Sequence, residues 1–73
     1  MTHETVEIPI SGKIVGVNIK VGDVVKEGAV LCILESMKME NPIVAPLDGS
    51  ITQVGVTIEQ MVKPGDIVAV IEF

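Results

Sequence analysis

Hydrophobic positions in this chain fall in short runs separated by glycine, proline and charge, and no run carries a helical stripe with caps. β-Branched residues dominate the runs, which favours extended backbone. The pattern predicts strands at about 5–9, 13–19, 24–26, 29–35, 39–45, 50–56, 61–63 and 67–72. The closing runs, "AVLCILE" and "DIVAVIE", are almost wholly apolar, as strands buried on both faces would be. "SGK" and "DGS" read as turns, and "KEG" and "KPG" place Gly28 and Gly65 where positive φ is needed. Many short strands with regular turns define an all-β sandwich or small barrel.

The pattern also repeats. "PISGKIVGVNIKVGDVVKEGAVLCILE" (residues 9–35) aligns without a gap to "PLDGSITQVGVTIEQMVKPGDIVAVIE" (46–72), at an offset of 37 and with eight identities over 27 positions. Two copies are too few for a solenoid. They point instead to two packed units related by a pseudo-two-fold axis, within one domain spanning residues 1–73. Between them lies "SMKMENPIVA", whose segment 36–41 reads as a connecting hairpin with its tip at Met37–Lys38.

That tip breaks the local rules. Two-residue hairpin turns favour Asn-Gly or Asp-Gly because both central residues take positive φ. Met37 and Lys38 incur a steric cost there, and such departures concentrate at functional sites. An isolated lysine is ordinarily a solvated charge, and Lys13, Lys20, Lys26 and Lys63 are read so. Lys38 differs because the repeat gives it no counterpart. A methionine near a strand end is commonly core filler. Alternation along an extended strand would put Met37 and Met39 on one face and Lys38 on the other. Periodicity leaves packing and docking open for the two methionines.

Composition narrows the chemistry. A chain of 73 residues has little room for a cleft beside its core. Cys32 is the only cysteine and His3 the only histidine, so neither an internal disulfide nor a Cys/His zinc cluster forms. Cys32 reads as a buried small hydrophobe and His3 as a frayed terminal residue. No nucleophile–base set, P-loop or dinucleotide fingerprint occurs. A net charge of −5 with one aromatic, Phe73, argues against nucleic acid and anionic membranes. No apolar stretch reaches the roughly 18 residues of a spanning helix. The absence of a signal peptide and the single cysteine are expected of a reducing cytoplasm.

"ESMKME" between two β-rich half-repeats resembles the biotin-attachment domain of biotin carboxyl carrier proteins, and the resemblance spans about Val6 to Phe73. "IPISG" (8–12) and "APLDG" (45–49) match elements of the same family. The resemblance implies a flattened β-barrel of two four-stranded antiparallel sheets with the modified lysine on an exposed hairpin. It implies biotin on Lys38, with Met37, Met39, Glu35 and Glu40 as recognition residues for a biotin ligase. It further implies a non-catalytic carrier shuttling a carboxyl group between biotin carboxylase and carboxyltransferase or decarboxylase sites. Lipoyl-attachment domains look similar, but in them Asp usually precedes the lysine, and here both neighbours are Met. The gapless repeat leaves no room for the extra "thumb" of the acetyl-CoA carboxylase carrier, so the chain resembles the thumbless carriers. An Ala/Pro-rich preceding linker is absent, as in a stand-alone carrier or a carrier domain of a longer protein. A structural or adaptor β-domain with Lys38 unmodified is the alternative of a different class.

Overall fold

A computed structural model describes residues 2–73; Met1, the first residue of the expected domain, lies outside the described residues. Eight strands form in order: β1 (His3–Glu7), β2 (Gly12–Val17), β3 (Val24–Val25), β4 (Val30–Ser36), β5 (Met39–Val44), β6 (Gly49–Val54), β7 (Met61–Val62) and β8 (Ile67–Glu72). They make two antiparallel four-stranded sheets, ordered β1-β8-β6-β3 and β5-β4-β2-β7. Among the described residues no helix is long and apolar enough to cross a membrane.

Shifting residue numbers by 37, forward for β1–β4 and back for β5–β8, carries one sheet onto the other, strand for strand. The exchange of the short strands locks the halves together. β3 of the first half pairs with β6 of the second, and β7 of the second pairs with β2 of the first. The loop hydrogen bonds repeat the relation. Gly28 N–H donates to Ala45 O at 2.8 Å, and Gly65 N–H donates to Ile8 O at 3.0 Å. Even the register breaks coincide, between Val6 and Glu7 on β1 and between Val30 and Cys32 where β4 meets β5.

The repeat extends beyond residues 9–35 and 46–72. β1 is the twin of β5, for His3 opposite Glu72 matches Glu40 opposite Glu35. Only the buried positions survive in the sequences of these two strands, Val6 with Ile43 and Ile8 with Ala45. His3 is therefore a paired strand residue rather than a frayed end, with Nε2 3.4 Å from Glu72 Oε2.

The core is aliphatic. Ile14, Leu31, Cys32, Leu34, Ile51, Val68, Ala69 and Ile71 are the most deeply buried side chains, with no buried polar residue among those described. The register breaks explain why neighbours such as Leu31 and Cys32 both face inward, where strict alternation would expose one of them. Partial exposure of Ile33 and Val70 shows that β4 and β8 are not buried on both faces.

Gly12 and Gly49 act through close approach rather than as turns. Each opens a strand, and a Cβ would stand 2.4 Å from Glu35 O at Gly12 and 2.5 Å from Glu72 O at Gly49. The turn role falls to Gly28 and Gly65, at φ 88° and 94°, as the sequence predicts.

Candidate functional site

The β4–β5 hairpin brings the candidate residues together. Ser36 pairs with Met39 and Glu35 with Glu40, leaving Met37 and Lys38 as a two-residue turn. Their φ angles are 53° and 66°, the left-handed values of a type I′ hairpin. A non-glycine residue in that conformation costs about 1–2 kcal/mol. Strand alternation consequently stops at Ser36, so Met37 and Lys38 do not alternate as an extended strand would place them.

Burial settles the methionine question. Met37 is 92% exposed and Met39 67%, so neither fills the core. Lys38, Glu35 and Glu40 are exposed as well. Glu35 and Glu40 stand directly opposite each other, and like charges so placed are destabilising. The tip thus combines bulky residues in the left-handed backbone that its turn requires, uncovered thioethers and facing carboxylates, side chains that the fold does not select.

Two residues that the sequence reading left aside lie beside it. Lys13 on β2 is opposite Glu35 on β4, and Met61 on β7 is opposite Lys13. Sheet register therefore sets Met61, Lys13, Glu35 and Glu40 in one row next to the turn. The β2–β7 pairing joins residues distant in sequence, so local patterning carries no signal for it.

The amine is available for acylation. Among the described residues, His3 stands against Glu72 and an ion pair joins Lys13 to Glu59, and Lys38 enters neither contact nor any side-chain hydrogen bond. An acyl group on its Nζ would meet no occupied partner and displace no core contact. No group of three or more His, Cys, Asp or Glu residues that could hold a metal ion occurs among the described residues.

Fold and tip together give a two-sheet β-domain with an exposed lysine on a strained hairpin turn. Residues 4–71 match the family model described as "Biotin-requiring enzyme", and the chain belongs to that family. It is a biotin-carrier domain, with biotin as its cofactor. Among curated relatives, it is 58% identical over 40 residues to the glutaconyl-CoA decarboxylase subunit gamma of Acidaminococcus fermentans, covering 55% of this chain and 28% of that one. It is 51% identical over 41 residues to a biotin/lipoyl attachment protein of Bacillus subtilis, covering 56% of each. Among solved structures, the urea carboxylase of Kluyveromyces lactis matches with TM-score 0.89 and 30% identity, over 99% of this chain and 6% of that one. The chain thus matches only a part of each of these proteins.

Proposed function

We propose that residues 1–73 are one non-catalytic carrier domain bearing biotin in amide linkage on the Nζ of Lys38. The observation that carries this is the left-handed Met37–Lys38 turn, where an exposed lysine holds a position that Asn-Gly would fill with less strain. Bound there, biotin supplies a ring nitrogen that takes up and releases a carboxyl group.

The chain's own part is mechanical and electrostatic. A free lysine has a pKa near 10.4, so its amine is mostly ammonium at neutral pH and does not attack an acyl group. Lys38 makes no side-chain hydrogen bond or ion pair among the described residues, and activation of the amine falls to a biotin ligase. Met37 and Met39, as soft exposed thioethers, give that ligase an apolar grip, and Glu35 and Glu40 set the charge around it. Acylation removes one positive charge and takes the formal net charge from −5 to −6. The paired β4–β5 strands hold the tip out, so the arm enters a carboxylase site and a carboxyltransferase or decarboxylase site in turn. Tethering raises its effective concentration at both. The similarity to decarboxylase gamma subunits and to acyl-CoA and urea carboxylases supports partners of those classes.

Intact mass after co-expression with a biotin ligase tests the assignment. The expected result is one biotin increment, lost in Lys38→Ala with the fold retained. An increment that survives Lys38→Ala, or a lipoyl increment in its place, overturns it.

A further inference from the structure

Three non-glycine residues have left-handed backbone among those described: Met37, Lys38 and Glu59, the last at φ 74°. All three converge on one place. Met37 and Lys38 line an open groove of about 450 Å³, whose lining includes Lys13, Glu35, Ser36 and Met61. Glu59 reaches the groove through Lys13, with Oε2 3.8 Å from Lys13 Nζ.

The pseudo-two-fold axis shows which of these features the fold itself requires. The twin of Glu59 is Gly22, at φ 100°, so that turn needs a left-handed residue and glycine supplies it without strain. The twin of Lys13 is Ser50, on the strand opposite Val24, and the twin of Met61 is Val24. Met61 is 72% exposed and Val24 79%, so packing does not select the methionine. The Lys13–Glu59 pair is solvent-exposed, and such pairs contribute little stability. It sets Glu59 beside Lys13, a residue of the groove lining. Beside the tip, then, the second half departs from its twin by adding a soft apolar side chain and a carboxylate that pairs with Lys13.

The occupant follows from the position of Lys38. Lys38 is one of the residues that line the groove, so a group on its Nζ is tethered beside it. The groove's volume lies within the roughly 300–1,000 Å³ of small-molecule sites. Methionines adapt to irregular apolar shapes, and an ammonium donates to a carbonyl oxygen. A biotin ring offers both, an apolar bicycle and a ureido carbonyl.

We propose that this groove is the resting site of the biotin ring borne on Lys38: the arm folds back over β2 and β7, placing the ring against Met61 with its ureido oxygen toward Lys13. The inference rests on biotinylation of Lys38. Between visits to its partner sites the ring is then held against the domain rather than extended into water.

Methionine-methyl NMR of the whole chain tests this, with intact mass first establishing complete biotinylation. On biotinylation the Met61 methyl is expected to shift at least as far as that of Met39 and to show cross-peaks to ring protons. Met61→Val, which copies the twin position, should remove those cross-peaks and speed capture of the biotin by streptavidin several-fold. Lys13→Gln should weaken the same cross-peaks and serves as the deciding variant if Met61→Val does not fold. A fully biotinylated chain with an unmoved Met61 methyl overturns the groove alone. A chain that takes no biotin overturns both readings.

Discussion

At one end of the barrel Ser36 pairs with Met39, and two residues close the chain between them. At the related end their twins, Phe73 and Thr2, exchange both backbone hydrogen bonds, at 2.8 and 3.1 Å, and nothing joins them. Up to that pair the two ends share register, the glycines at 12 and 49 and at 28 and 65, and most buried positions. They differ in what is added: a strained Met-Lys turn, a facing Glu pair, Met61 for Val24 and Glu59 for Gly22. Because the fold is satisfied without these additions at one end, their presence at the other reports on function rather than stability. A single-copy fold offers no such internal control.

The sharpest way to break the comparison is in the core, where the ends should respond alike. Leu34 and Ile71 are twins and both fully buried. Leu34→Ala and Ile71→Ala should each cost about 2–5 kcal/mol, through lost burial and a residual cavity. Denaturant unfolding measures both. A large gap between them would mean that the additions around the tip carry packing, against the division drawn here.

Replacing the turn should separate stability from function. Met37→Asn with Lys38→Gly installs residues that accept the left-handed pair without strain. The double variant should gain about 1–3 kcal/mol, the relief of two such residues offset by the flexibility glycine brings to the unfolded chain. It should take up no biotin. Thermal unfolding and intact mass read the two effects on one sample. A loss of stability would show that the Met-Lys turn is held by contacts rather than strained.

How much of this was legible in the sequence depended on the range of the interaction. The offset of 37, the strand-rich halves, the left-handed glycines at 28 and 65 and the hairpin tip at 37–38 are local signals, and the structure bears them out. The pairing of β1 with β8 was missed because "HETVE" and "ENPIV" share only their buried pattern, so His3 looked like a loose end. Gly12 and Gly49 read as turn residues because nothing local distinguishes a turn from a close approach. Their constraint is a carbonyl on the neighbouring strand β4 or β8. Exposure of Met37 and Met39 could not follow from periodicity, since a left-handed turn interrupts it. Met61 and Lys13 join the tip only through the β2–β7 pairing. An unusual methionine facing its twin valine in the aligned repeat was the one available hint.

The smallest expected difference lies at the twin pair Cys32 and Ala69, both fully buried. Burial raises the Cys32 thiol pKa above its ordinary value by disfavouring the thiolate. The folded pKa is therefore higher than the unfolded one. The contribution is whole below the unfolded value, and it is lost as pH rises through the folded one, because the unfolded chain ionises more readily. Stability of the parent chain should consequently fall above about pH 9, since an unfolded thiol titrates near 8.5. Cys32→Ala makes the two ends identical at this position. It should cost about 1 kcal/mol at neutral pH, the loss of one small buried group, and flatten the alkaline decline. Denaturant midpoints at pH 7 and pH 10 for the two chains measure both effects. An equal alkaline decline in each would show that the buried thiol is not its origin.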